Sequence, residues 1–154
     1  MRKVLIFGNS GSGKSTLAKK LCESEGLSHL DLDTLAWEQS LPPERKPVIE
    51  SKLEINKFME SNNAWVIEGC YTDLLECALE QASEIIYMNL AVELCIKNAK
   101  ASPWEPHKYE SKQAQDANLE MLIDWISDYA TRSDTFSKAE HSRLFEQYLS
   151  LIHI

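Results

Sequence analysis

An α/β fold built on a mostly parallel sheet is predicted by three features of the sequence. The first is a short apolar run, Val4-Leu5-Ile6-Phe7, that enters the stretch Gly8-Asn9-Ser10-Gly11-Ser12-Gly13-Lys14-Ser15 and leaves it through a helix-forming segment. A continuous apolar run of this length is the pattern of a strand buried on both faces. The second is that further short apolar runs alternate with segments whose apolar residues recur at helical spacing, which places helices on both faces of a parallel sheet. The third is size: 154 residues, 44% hydrophobic and 26% charged, suit one domain, 1–154, with a single core.

In chain order, Val4 to Phe7 is the first strand and Lys14 to Ser24 the first helix, with Leu17, Leu21 and Cys22 on one face and Gly26 as its stop. The alternating stretch Ser28 to Asp33 predicts a second strand that ends in Asp31 and Asp33. Residues two apart share one side of an extended segment, so both acids face one site. Glu38 to Lys46, with Pro42-Pro43 and Arg45, reads as a loop. Pro47 suits the first turn of a helix through Met59, closed by Asn62-Asn63. Ala64 to Ile67 is a third strand with Glu68-Gly69 at its carboxyl end, and Thr72 is a candidate cap for the next helix. Ile85 to Leu90 is the fourth strand, followed by a helix that stops before Ser102-Pro103. Two prolines make 103–109 irregular. Ser111 opens a long helix carrying Ala114, Met121, Leu122, Trp125 and Tyr129, and Ser137-Lys138-Ala139-Glu140 is a capping-box pattern that starts the last one. Leu151 to Ile154 either adds a fifth strand or frays, so the sheet has four or five strands.

The stretch Gly8 to Ser15 fits G-x-x-x-x-G-K-[ST], the phosphate-binding P-loop pattern, in its required context between a strand and a helix. Glycines let the backbone curl around a phosphate chain, so that N–H groups and the positive end of the helix face the anion. The nucleotide-binding residues are then Gly8, Asn9, Ser10, Gly11, Ser12, Gly13, Lys14, Ser15 and Thr16. Lys14 reaches the β- and γ-phosphate oxygens, and the Ser15 hydroxyl is a ligand of Mg²⁺. Thr16 either touches the α-phosphate or only occupies the first helical turn.

Bulk properties narrow the partners. A formal charge of −8 argues against an extended nucleic-acid surface, which needs distributed Lys and Arg, but leaves room for a focused nucleotide pocket. Cys22, Cys70, Cys77 and Cys95 show no C-x-x-C and read as reduced thiols. No apolar run is long enough for a membrane span, and Met1-Arg2-Lys3 leads straight into the first strand without a secretory leader. A cytoplasmic protein with no membrane partner is expected. Oligomeric state leaves no trace in the sequence.

The P-loop, together with Leu32-Asp33-Thr34-Leu35-Ala36-Trp37 and Trp65-Val66-Ile67-Glu68-Gly69-Cys70-Tyr71, resembles the small P-loop kinases. The likeness is to the adenylate-kinase-like topology modulation proteins and, more distantly, to shikimate kinase, and runs from Val4 to about Ala101. It implies a three-layer P-loop NTPase fold, ATP and Mg²⁺ as cofactors, and a small-molecule acceptor. By this resemblance Asp31 holds Mg²⁺ through water, Asp33 lies beside the acceptor hydroxyl as orienter or base, and Glu68 assists the metal or the acceptor. The acceptor pocket falls on about 33–63, where Trp37 and Arg45 are the substrate candidates. Such kinases also carry a lid after the fourth strand, here about 97–115. This interval holds Lys97, Lys100, His107 and Lys108 but no arginine, a departure from the pattern, since lysine supplies charge without the bidentate fork. Arg132, beyond the long helix, is the candidate to supply that charge, the alternative being a surface role. The four arginines, Arg2, Arg45, Arg132 and Arg143, are few for gripping shikimate. The expected function is a kinase that moves the γ-phosphoryl of Mg-ATP to a nucleotide or hydroxylated metabolite. The alternative is a P-loop ATPase or nucleotide-dependent regulator without transfer activity.

Overall fold

In the computed structural model, which describes residues 2–38, 44–106 and 109–152, the apolar runs pair into a four-stranded parallel sheet flanked by six helices. The strands are β1 (Lys3–Gly8), β2 (Ser28–Asp31), β3 (Trp65–Gly69) and β4 (Glu84–Met88), in the order β2-β3-β1-β4. The helices are α1 (Lys14–Glu25), α2 (Val48–Ser61), α3 (Thr72–Leu79), α4 (Val92–Ala101), α5 (Lys112–Ser127) and α6 (Lys138–Ile152).

Alternation along β1 and β3 divides the core into two layers. Leu5, Phe7, Trp65 and Ile67 pack with Ile55 and Met59 of α2, Leu74 and Leu75 of α3 and Leu144 of α6. Val4, Ile6 and Val66 face the other way, onto Ala18 of α1 and Leu27. All four β1 residues from Val4 to Phe7 are fully buried, each worth about 1.5–3 kcal/mol relative to exposure. This is why the run is apolar throughout rather than alternating.

Local signals act where the sequence places them. Gly26 closes α1 in the left-handed conformation, its N–H bonded to the Cys22 carbonyl at 2.9 Å. The Ser111 hydroxyl accepts the Ala114 N–H at the start of α5, and that of Ser137 accepts the Glu140 N–H at the start of α6, both at 3.1 Å.

Six expectations are corrected. β2 stops at Asp31, because the Asp31 carboxylate accepts the Asp33 N–H at 3.0 Å and starts a 3₁₀ turn over Leu32–Thr34. Thr72 does not cap α3: Tyr71 holds that position, and the Thr72 hydroxyl instead donates to the Thr135 carbonyl. β4 ends at Met88, leaving Asn89 and Leu90 outside it, and Tyr129 lies beyond the end of α5. Residues 151–152 continue α6 rather than forming a fifth strand, while His153 and Ile154 lie outside the described residues. The stretch 38–46 is not wholly loop: Trp37 and Arg45 form an antiparallel bridge, with the Lys46 N–H on the Ala36 carbonyl at 2.9 Å. Pro42-Pro43, His107 and Lys108 lie outside the described residues.

Candidate nucleotide and acceptor site

The parallel register brings Gly8, Asp31, Glu68 and Met88 to one edge of the sheet, since Asp31 pairs with Glu68, Ile6 with Glu68 and Gly8 with Met88. In open α/β sheets this carboxyl edge is where ligands bind. Beyond it lies a cavity of about 730 Å³, within the 300–1,000 Å³ common for small-molecule sites.

One wall is the loop itself. Ser10, Gly11, Gly13, Lys14, Ser15 and Thr16 line the cavity, and Gly8, Asn9 and Ser12 are buried. Gly11 and Gly13 have φ of +78° and +90°, a region that L side chains rarely adopt, and a Cβ on Gly11 would overlap the Cys95 carbonyl. Gly13 forms the N-cap of α1, so that helix starts with its free N–H groups at the cavity. Lys14 Nζ donates to the Asn9 carbonyl at 2.7 Å.

Glu68 stands beneath this wall, and sheet geometry explains why. Partners in a parallel register share a face, so the alternation that turns Val66 and Ile6 toward α1 turns Glu68 there too, under the first turn of that helix. It is 2% exposed, and its carboxylate meets His29 Nε2 at 2.9 Å. Burial pushes its pKa up, but hydrogen bonds from His29 and Ser15 and the charge of Lys14 outweigh this and hold it below the ordinary carboxylate range. Glu68 is therefore ionised at neutral pH. Ser15 and Glu68 make a hard-oxygen pair of the kind Mg²⁺ takes. Among the described residues no group of three or more His, Cys, Asp or Glu is placed to hold a metal. A pair of oxygens plus substrate phosphates is the usual Mg²⁺ arrangement, so the donor set fits this ion.

Asp33 also lines the cavity, turned there by the 3₁₀ turn rather than by strand alternation. Its carboxylate accepts the Tyr71 hydroxyl, and the Tyr71 oxygen accepts Trp37 Nε1–H at 2.8 Å. Burial and the nearby negative charges raise the Tyr71 pKa, so the phenol stays protonated and donates. The Arg45 guanidinium lies over the Tyr71, Phe136 and Trp37 rings at 4.9, 5.5 and 6.0 Å and bonds both Asp73 carboxylate oxygens at 3.2 Å. Arg132 stacks on Trp125 at 3.6 Å and pairs with Asp134 at 3.1 Å, with Phe136 6.0 Å away. Two arginines thus flank the same Phe136 ring. Asp31, Trp37, Arg45 and Arg132 stand off the cavity wall; Asp33, Glu68, Lys14, Ser15 and Thr16 are on it.

The outer wall comes from the end of α4 and the segment after it, with Asn98, Lys100, Pro103, Glu105 and Tyr109. The Gln115 side chain bonds the Pro103 carbonyl at 3.0 Å and the Glu105 N–H at 2.8 Å. Sequence reasoning missed Asn98, His29 and the positioning hydroxyl of Tyr71. Tyr71 had a signal, three residues past Glu68 at a strand's carboxyl end; Asn98 had none.

Behind the site, buried His141 of α6 lies 2.8 Å from the Cys70 carbonyl and 2.7 Å from the Tyr129 hydroxyl, which lies 3.1 Å from that of Tyr87. A carbonyl only accepts, so Nε2 carries the proton and Nδ1 accepts from Tyr129. Among the described residues no helix is long and apolar enough to cross a membrane.

Comparison with known proteins agrees with this architecture. The AAA domain family matches residues 4–118. Among solved structures, the chain is similar to a gluconokinase from Sinorhizobium meliloti 1021, with 14% identity and a TM-score of 0.52 over 99% of this chain and 98% of that one. A shikimate kinase from Bacteroides thetaiotaomicron has 13% identity and a TM-score of 0.46 over 99% of each chain. No curated protein matches the sequence. At such identities the gluconokinase likeness is one of fold. Because the family match takes in all four strands, the phosphate loop, Asp33 and Glu68, the chain belongs to the AAA domain family, with the fold of the small P-loop kinases.

Proposed function

We propose that the protein is an ATP-dependent kinase that transfers the γ-phosphoryl of Mg-ATP to a small hydroxyl-bearing or nucleotide acceptor. The observation that carries this reading is that one cavity is lined by Lys14, Ser15 and Glu68, a set suited to Mg²⁺ and phosphates, and also by Asp33, a carboxylate outside that set. A binder of phosphates alone needs only the first group; transfer needs an acceptor side as well.

In this mechanism the loop N–H groups and Lys14 hold the β- and γ-phosphates. Ser15, with Glu68 and Asp31 as the acidic candidates, holds Mg²⁺, which neutralises charge on the phosphates when bound. Asp33 directs the acceptor hydroxyl. The acceptor oxygen bonds to the γ-phosphorus as the bond to the β–γ bridging oxygen breaks, ADP leaves, and the hydroxyl proton passes to Asp33 or to solvent. Tyr71 fixes the direction of the Asp33 carboxylate, which suits orientation more than proton storage. Lys100 on the outer wall is the cation nearest in role to a lid arginine, and Arg132 is the reserve candidate.

One observation favours the alternative, a P-loop ATPase or regulator: Arg45 and Arg132 are both engaged by carboxylates and rings, off the cavity wall. Calorimetry with Mg-ATP and a labelled-phosphate panel of nucleoside monophosphates, nucleosides and hydroxy-acids separates the two. Lys14→Ala is expected to weaken Mg-ATP binding roughly 10–100-fold, the worth of a charge-assisted contact. Unchanged affinity refutes nucleotide binding at the loop, and ATP hydrolysis without any labelled acceptor refutes the kinase.

A further inference from the structure

A loop that wraps phosphates turns N–H groups inward, so its carbonyls point away and need partners of their own. The Asn9 carbonyl accepts from Lys14 Nζ at 2.7 Å and from the Ser12 N–H at 3.2 Å, and that of Gly13 accepts the Leu17 N–H at 3.1 Å as a bond of α1. The Gly11 carbonyl is served from elsewhere. Its donor is the side-chain Nδ2 of Asn98, on α4, at 2.8 Å. Cys95, one turn earlier on α4, presses its carbonyl against Gly11 where a Cβ would sit.

The peptide between Gly11 and Ser12 is thereby held at both ends: its N–H donates to Asn9 and its C=O accepts from Asn98. This matters because Gly11 and Gly13 flank it, and two glycines within three residues leave the backbone little intrinsic preference for one shape. We infer that Asn98 is a positioning residue for nucleotide binding. Its amide locks the Gly11–Ser12 peptide and so keeps the following N–H groups of Gly13, Lys14 and Ser15 in the orientation that receives phosphate. Resting on the nucleotide-binding reading above, it adds a residue that acts through the loop rather than on base or ribose.

The test is calorimetry with two probes, Mg-ATP and the base-free Mg-tripolyphosphate, on the wild type, Asn98→Leu and Asn98→Gln. Leu has a similar shape and no donor, whereas Gln keeps a donor on a longer arm. Asn98→Leu is expected to weaken both probes by the same factor, about two- to tenfold, the net worth of one exposed hydrogen bond. Asn98→Gln is expected to recover part of it. The unliganded thermal midpoint should stay at the wild-type value, because Asn98 is exposed. If Leu disturbs folding, Asn98→Ser, too short to reach Gly11, should show the same equal loss. Wild-type affinity in the Leu or Ser variant overturns the inference, as does weakening confined to ATP, which would make Asn98 a base or ribose contact. A wild type that binds neither probe refutes the nucleotide reading itself and this inference with it.

Discussion

Acidification should unlock the buried contact between α6 and the wall of the site, and His141 sets the size of the effect. The ring is fully buried, and burial, the largest influence, lowers its pKa from 6.5 to about 4. Lys14 pushes the same way, while the bond to Cys70 and the charge of Glu140 oppose it. Since the folded-state value lies below the unfolded one, the folded protein favours the neutral ring. The resulting stability is fully present above pH 6.5 and is lost as pH falls toward 4. Linkage gives a loss of about 2 kcal/mol at pH 5 relative to pH 7.5 and about 3 kcal/mol at pH 4. Protonating Nδ1 also reverses the bond with Tyr129, which must then give its own proton to Tyr87. Urea unfolding at pH 7.5 and 5.0, on the wild type and His141→Gln, isolates the term, because every other titrating group is common to both. The wild type should lose about 2 kcal/mol more than the variant across that interval. Parallel losses would refute the assignment of a neutral, buried His141.

Three further outcomes follow from the site. Gly11→Ala combines a left-handed φ with overlap against the Cys95 carbonyl, and should cost about 3 kcal/mol in denaturant unfolding and weaken Mg-ATP in calorimetry; wild-type behaviour in both would mean the loop is not held against α4. Asp33→Asn should reduce phosphoryl transfer roughly 100-fold or more while leaving Mg-ATP affinity within about twofold, and equal loss of both would reassign Asp33 to a structural part. Glu68→Gln keeps the shape but removes the charge beside Ser15, so titrations of ATP with and without Mg²⁺ should show the loss only with the metal; an equal effect in both would place Glu68 outside ion binding.

Local chemistry made much of the chain legible in advance. Strand and helix order, the helix stop at Gly26 and the caps at Ser111 and Ser137 depend on residues within a few positions of one another, and the phosphate loop is one contiguous segment. The errors came where a local alternative won by a single bond, as at Asp31, whose carboxylate captured the Asp33 N–H and ended the strand two residues early. An extended segment and a 3₁₀ turn read alike there until that bond is seen.

What the sequence by itself determined was therefore the α/β class, the phosphate loop with Lys14 and Ser15, and the presence of acids at strand ends. Tertiary structure alone decided which acid stands next to Ser15. Placing β3 beside β1 puts Glu68 there, while the Asp31 carboxylate, one strand further out, accepts the Asp33 N–H that starts the turn aiming Asp33. The same holds for the hold of Tyr71 on Asp33, the placing of Arg45 over the Phe136 ring, and the reach of Asn98 to Gly11. Each joins residues tens of positions apart, and the physical reason they escape prediction is common to all. Strand order and helix docking are settled by burial of the two apolar layers across the whole chain, and the polar contacts at the sheet edge fall wherever that packing leaves them.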